Sequence, residues 1–269
     1  MLIWVSALHC EAKPVIDYYR LKKSHDDKAF DLYRGDEMIC IISGSGKIAS
    51  AAACAWIAAG CGNETSIAWI NLGIAGAAQH EIGAAFLLNQ VIDADSGQRY
   101  YPAPGPVAVI PGSACLTLSQ PSEDYQNEYL FDMEASGFMY SALRFSSAEL
   151  TQCIKVVSDN YNHKTGKNRQ QVSNIIYQHI GLIDRQANNL VALNAEVAGL
   201  AIAPESWQRL ITLAHFSQTQ KNRLRVIWRY LINRDFDSET LFHELAAQSS
   251  ARNIIKTLEQ LSYRDSEGL

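Results

Sequence analysis

The stretch Met38-Ile-Cys-Ile-Ile-Ser-Gly-Ser-Gly-Lys-Ile-Ala-Ser-Ala-Ala-Ala-Cys-Ala-Trp-Ile-Ala-Ala59 runs from an apolar β-former segment through a polar glycine turn into an alanine-rich helical pattern. A strand that feeds a helix through so short a turn is one βα unit, and repetition of the unit makes a parallel sheet covered by helices. Working outward, the same alternation predicts strands over 2–8, 30–34, 38–43, 67–72, 86–92, 115–118 and 153–157. Helices are predicted over 11–20, 47–59, 133–145 and 169–193. Tyr33-Arg-Gly-Asp-Glu37 reads as a hairpin turn, which adds an antiparallel pair. The expected fold class is therefore α/β, with a mixed central sheet and helices on both faces.

Past about residue 198 the pattern changes to helix after helix, with starts at Pro204-Glu-Ser-Trp207 and Asp237-Ser-Glu239. The expected division is an α/β domain over 1–199 and a helical C-terminal extension over 200–269. The extension carries nine Lys or Arg against eight Asp or Glu. Its acid-free basic stretch, Lys221, Arg223, Arg225, Arg229 and Arg234 around Trp228, reads as a solvated helix face, with nucleic acid or a protein partner as the alternative.

Composition narrows the function classes. With 269 residues, 48% of them hydrophobic and 19% charged, the chain has enough apolar material for a large core, which excludes disorder. No apolar run reaches the ~20 residues of a membrane-spanning helix. The apolar start, residues 1–8, has no positive charge before it and reads as a buried strand and not as a secretory leader. Six cysteines without a CxxC spacing read as buried free thiols of a reducing cytosol, so a cytoplasmic location is expected. A net charge of −5 gives nucleic acid no general electrostatic attraction. Seven His without HxxxH or HExxH spacing predict no metal, and no cofactor is expected.

In open α/β sheets ligands bind at the carboxyl ends of strands, so the residues after each strand are the first place to look for chemistry. They are His9-Cys10-Glu11, Ser43-Gly44-Ser45-Gly46-Lys47, Gly73-Ile74-Ala75-Gly76 and Ser158-Asp159. Ser43 to Lys47 lacks the GxxxxGK[ST] spacing of an NTPase loop. It either brings backbone N–H groups to a ligand or packs a helix tightly on its strand. Glu134, in Phe131-Asp-Met-Glu-Ala-Ser-Gly137, opens a predicted helix, where the dipole favours an acid whatever its function. Asp159 reads as a helix cap or as a functional acid, and Glu11 opens the first helix under the same ambiguity. Three carboxylates at corresponding ends of separate elements suit acid-base work on one small ligand.

The ordered set Ala7-Leu-His-Cys-Glu11, Ser43-Gly-Ser-Gly-Lys47, Ile70-Asn-Leu-Gly-Ile-Ala-Gly76, Asp132-Met-Glu-Ala135 and Val156-Val-Ser-Asp159 resembles the nucleoside phosphorylase superfamily, and within it the 5′-methylthioadenosine/S-adenosylhomocysteine nucleosidases. The resemblance covers roughly residues 1–180. It implies an α/β domain with a mixed sheet, assembled as a homodimer or larger homo-oligomer, that cleaves the N-glycosidic bond of a nucleoside. It also implies roles: Glu11 activates the attacking water, Glu134 holds the ribose hydroxyls with Met133 packing on the sugar, and Asp159 gives a proton to the leaving purine. The implied substrate-binding set is Gly44, Gly46, Gly73, Ile74, Ala75, Gly76, Phe131, Met133, Lys155 and Ser158. Such a division of labour is physically coherent. Bond cleavage builds positive charge on the sugar and negative charge on the base, so a carboxylate favours the first and a protonated acid neutralises the second.

Two departures bear on the reaction. Where the family commonly has Ser or Thr after the first glycine of Gly-x-Ala-Gly, and Arg four residues before the Asp, this chain has Ile74 and Lys155. Loss of a hydroxyl and a guanidinium fork weakens a phosphate site, which favours hydrolysis over phosphorolysis. The segment between Tyr101 and Phe131 is also shorter than the family's, with Pro102-Ala-Pro-Gly-Pro106 followed by Cys115-Leu-Thr-Leu-Ser-Gln120. Tyr100, Tyr101, Gln120 and Phe131 become the candidates for stacking on or hydrogen bonding to a base. The alternatives to a nucleosidase are a phosphate-dependent phosphorylase and a nucleoside-binding protein that retains the fold.

Overall fold

The computed structural model describes the chain except residues 26–28, 62–65, 106, 122–127, 164–167, 200–203, 235, 249 and 267–269. It divides into two compact units, Met1–Ala195 and Glu196–Leu269.

The first unit is built on one mixed sheet. Its strands are β1 (Leu2–Ser6), β2 (Lys22–Lys23), β3 (Asp31–Arg34), β4 (Met38–Ile42), β5 (Ala68–Ala77), β6 (Ala85–Asp93), β7 (Arg99–Tyr100), β8 (Gly112–Thr117), β9 (Leu130–Asp132) and β10 (Thr151–Asn160). β4, β1, β5 and β10 run parallel to one another, while β2–β3, β3–β4, β5–β9, β6–β7 and β6–β10 pair antiparallel. The expected hairpin at residues 33–37 is present, with Gly35 N–H donating to Met38 O at 2.8 Å. β5 pairs with β10, β10 with β6, β6 with β8, β8 with β9, and β9 with β5 again, so these five strands close a ring.

Alternation along the strands sends successive side chains to opposite faces. Ile3, Val5, Ile39, Ile41 and Trp69 join Ala53, Cys54 and Ile57 of α2 (Lys47–Gly60), and Phe138, Met139 and Ala142 of α3 (Ala135–Ala142), in one apolar core. α1 (His9–Tyr18) packs on α4 (Arg169–Tyr177), where Ser173 Oγ donates to Cys10 O at 2.7 Å. The helix predicted over 169–193 is two helices, α4 and α5 (Ile180–Gly199), broken at Gln178 and His179. All six cysteines are free thiols, five of them buried.

Close approach of α2 and α3 depends on one residue. A Cβ on Gly137 would lie 1.8 Å from Lys47 O, a backbone atom that cannot swing aside. In an open helix Gly→Ala stabilises by up to about 1 kcal/mol. Here overpacking outweighs that gain, and Gly137→Ala is expected to lower unfolding stability by about 1–3 kcal/mol. Chemical denaturation checks this, and a stabilised variant would contradict it.

The second unit holds α6 (Pro204–Thr212), α7 (Gln218–Ile232), α8 (Ser238–Ala246) and α9 (Ala251–Ser266). Ser217 caps α7 in a reciprocal box with Gln220, and Asp237 caps α8 through the N–H groups of Glu239 and Thr240. Leu210, Phe216, Leu224, Trp228, Leu231, Leu241, Phe242, Leu245, Ile254 and Leu258 form its own core. Trp228 is a core residue, fully buried with Nε1–H donating to Ser206 Oγ, and does not belong to an exposed basic face. Arg223 pairs with Glu259, and Arg225 lies over the Trp207 ring. Among the described residues no helix is long and apolar enough to cross a membrane.

Candidate active site

The site begins where β5 changes neighbours. Residues 68–71 of β5 pair with β1, and Gly76 and Ala77 pair with β9. Between these pairings, residues 72–75 face a gap on that edge. Ser6 Oγ donates to Leu72 O, and the Ile74 N–H donates to Glu11 Oε1 at 2.9 Å. Glu11 Oε2 accepts from Leu8 N–H at 2.8 Å, so this carboxylate both caps α1 and satisfies the open sheet edge. Burial pushes its pKa up to about 7, against the opposing pull of the Lys155 charge and the Ile74 N–H.

Gly73-Ile-Ala-Gly76, expected as a turn, lies inside β5, because β10 and β9 pair with it where local sequence punctuates. Gly73 is required by what surrounds it. A Cβ there would come 2.8 Å from Glu11 Oε1 and 3.4 Å from Lys155 Nζ.

Glu134 does not lie within α3, as the predicted helix over 133–145 would have it, but at its N-cap, with φ −120° and ψ −34°. The helix is capped instead by Asp132, whose Oδ2 accepts from Ala135 N–H at 2.8 Å, while Ser136 N–H donates to Thr117 Oγ1. The Glu134 side chain is thereby free to turn away from its own helix and accept from Gly46 N–H at 2.8 Å. Gly46 and Gly44 have φ of +99° and +81°, the left-handed region that favours glycine, so the Ser43 to Lys47 turn aims an N–H at Glu134. Lys47 itself is engaged by Asp93 and Asp95.

Lys155 is the only cation in this cluster among the described residues. It is 1% exposed and pairs with Asp132 at 2.8 Å. Burial works against its charge, but Asp132 and Glu134 outweigh burial and hold the ammonium above the ordinary lysine range. Burial likewise opposes ionisation of Asp132, yet Lys155, Thr117 and Ala135 keep its carboxyl below the usual range. For Glu134 burial wins and the pKa is raised, with Lys155 opposing.

Asp159 does not follow a strand and caps no helix. It lies within β10, just after a register shift between Val157 and Asp159, and α4 is capped by Asn168. A bulge re-aims side chains and is common beside functional sites. Ser158 Oγ donates to Asp159 Oδ1, and both residues are buried.

These elements enclose an open cleft of about 690 Å³ lined by Ala7, Leu8, Glu11, Ser45, Ile74, Ala75, Gly76, Leu118, Gln120, Pro121, Phe131, Asp132, Met133, Glu134, Ser158 and Asp159. The three candidate catalytic carboxylates therefore meet in one place. Met133, Ile74, Ala75, Gly76, Ser158, Phe131 and Gln120 also line it. Gly44, Gly46, Gly73 and Lys155 do not. They stand behind the wall, holding Glu134 or making room for Glu11. Tyr100 and Tyr101 are also absent from the lining: Tyr100 pairs in β7 with β6, and Tyr101 is 61% exposed. Pro106 lies outside the described residues.

Sequence reasoning missed Asp132, Ser45, Leu8, Leu118 and Pro121. A signal for Asp132 existed in the lysine at position 155: a charge inside the apolar run Cys153-Ile-Lys-Val-Val157 requires a buried partner. Among the described residues no group of three or more His, Cys, Asp or Glu is arranged to hold a metal ion.

No protein-family model and no curated protein matches this chain. Solved structures do. The Arabidopsis thaliana 5′-methylthioadenosine nucleosidase is similar with a TM-score of 0.55 at 18% identity, over 70% of this chain and 95% of that one. The Helicobacter pylori 5′-methylthioadenosine/S-adenosylhomocysteine nucleosidase, solved with butyl-thio-DADMe-Immucillin-A, is similar with a TM-score of 0.56 at 11% identity, over 70% and 97%. Futalosine hydrolase of Helicobacter pylori gives the same TM-score, identity and coverage. The Met1–Ala195 unit is a mixed α/β sheet flanked by helices, and the chain has the nucleoside phosphorylase-like fold of these nucleosidases and of futalosine hydrolase.

Proposed function

We propose that the α/β unit hydrolyses the N-glycosidic bond of a purine nucleoside or related metabolite. The observation that carries this reading is the convergence of Glu11, Glu134 and Asp159, each from a different element, on one cleft. Glu134, oriented by Gly46 N–H, accepts hydrogen bonds from the ribose hydroxyls, with Met133 against the sugar. Glu11, in its ionised form, takes a proton from the attacking water. Asp159 delivers a proton to the departing base, and the carboxylate-rich wall favours the cationic sugar between them.

Water is preferred to phosphate on electrostatic grounds. Four carboxylates line the cleft, and among the described residues no lysine or arginine does. Lys155, at the position where the family commonly has an Arg, is neutralised by Asp132 behind the wall. A phosphate dianion entering the cleft would meet repulsion without a compensating cation. Incubation with a panel of nucleosides, with and without phosphate, tests this. Base release without phosphate is expected, whereas release only with phosphate assigns a phosphorylase, and binding without turnover assigns a sensor.

A pH dependence follows from Glu11. A general base must be deprotonated, and its pKa of about 7 puts the loss of that form at neutrality. The pH profile of kcat/KM, which reports the free protein, is expected to fall about tenfold per unit below pH 7. A profile flat down to pH 5 would contradict the role given to Glu11.

A further inference from the structure

A second cavity of about 720 Å³ adjoins the cleft, with Leu8 in the wall of both. It is lined by the start of α1, through His9, Cys10 and Lys13, and by the start of α4, through Arg169, Gln170 and Ser173. Its geometry is fixed, because Ser173 Oγ holds Cys10 O at 2.7 Å and ties the two helices together. Arg169 reaches over this junction: burial and Glu11 raise the pKa of the Cys10 thiol, and the Arg169 charge opposes them.

The two spaces have opposite electrostatic character. The cleft presents four carboxylates and no cation, whereas the second cavity presents Lys13 and Arg169, with His9 beside them, and no carboxylate. Asp17 holds Lys13 at 2.7 Å from one turn further along α1. Among the described residues no ion pair or hydrogen bond engages Arg169, so its planar donor fork is available to an oxyanion. A ligand that spans Leu8 therefore suits a sugar that turns cationic on one side and an anion on the other.

We infer that the second cavity binds an anionic substituent, phosphate or carboxylate, at the 5′ position of the nucleoside held in the cleft. The inference rests on the function proposed above. With the base at Asp159 and the ribose hydroxyls at Glu134, C5′ is the ring substituent left to point past Leu8. The substrate class is then a nucleotide or a 5′-carboxylated nucleoside. Specificity lies with Arg169 and Lys13, which do no chemistry.

Calorimetric titration of the full chain with matched sets tests this: each common nucleoside, its 5′-monophosphate and its 5′-carboxylate. At least one anionic member is expected to bind tenfold or more tightly than its neutral parent, with the preference shrinking as salt rises. Whether the phosphate or the carboxylate gains more identifies the anion. In Arg169→Ala the preference is expected to fall to about twofold or less, and Arg169→Lys to restore part of it. No preference in any set, or one that survives both Arg169→Ala and the Lys13→Ala/Arg169→Ala double variant, would overturn the inference. Because binding is read without turnover, the two readings fail separately. An Arg169-dependent preference in a protein that releases no base leaves the anion site standing, while base release without preference leaves only the nucleosidase.

Discussion

Asp159→Asn is expected to lower kcat for nucleoside cleavage by about 100- to 10,000-fold, the range that a positioned general acid contributes. Asn has nearly the same size as Asp and keeps an Oδ1 that can accept from Ser158 Oγ, so the bulge in β10 has no steric reason to rearrange. What the variant lacks is a proton to give. Base departure must then proceed as an anion or draw its proton from water, and nucleosides with a poor leaving group should suffer most. The measurement is single-turnover base release across substrates whose free bases differ in acidity, with the unfolding midpoint measured beside it. An unchanged rate in a folded Asp159→Asn protein would remove Asp159 from the mechanism. A uniform loss across all leaving groups would make it a binding residue.

The second large effect concerns stability. Lys155 and Asp132 are 1% and 0% exposed at their side chains and 2.8 Å apart, with Glu11 and Glu134 close by. Such a pair adds little over a well-packed apolar pair, but removing one partner leaves the others charged and buried. Lys155→Met keeps the length of the side chain and deletes the charge, and is expected to cost about 3–5 kcal/mol. That is a large share of the ~5–15 kcal/mol that holds a typical domain together. The Asp132→Asn/Lys155→Met double variant should lose less than the sum of the singles, as contacting residues do not add. Activity carries a signature that a purely structural role would not. Lys155 holds down the pKa of Glu11, so in any folded fraction the acid limb of kcat/KM should move above pH 7. Additive losses with an unmoved limb would show that Lys155 does not act on the carboxylates.

The legible part of the fold lay where local and tertiary signals agree. The βα unit at residues 38–59 reads correctly because a β-former run, a glycine turn and an alanine-rich helix point the same way. α2 begins at Lys47 as expected. Strand ends were misread where tertiary pairing overrides local punctuation. Gly73 to Gly76 looks like a turn, yet β10 and β9 extend β5 through it. Ser158-Asp159 looks like a strand exit, yet it is a bulge within β10. β9 was missed altogether because three residues between two ring strands carry no periodicity. At the candidate site, Glu11, Glu134 and Asp159 were legible as carboxylates at element ends. Their support was not. Asp132 as cap and counter-ion, and Lys155 as a buried cation, come from three separate segments, and no spacing links them.

The central claim is that a carboxylate-lined cleft without a basic wall uses water to break an N-glycosidic bond. The most direct measurement is the fate of the sugar. Cleavage is followed with the nucleoside that turns over best, in ¹⁸O-enriched water at saturating phosphate. Free ribose carrying one ¹⁸O at C1, in equal amount to the base released and at a rate unaffected by phosphate, is the predicted result. Ribose 1-phosphate as the product, or no base released from any nucleoside or nucleotide, would contradict it.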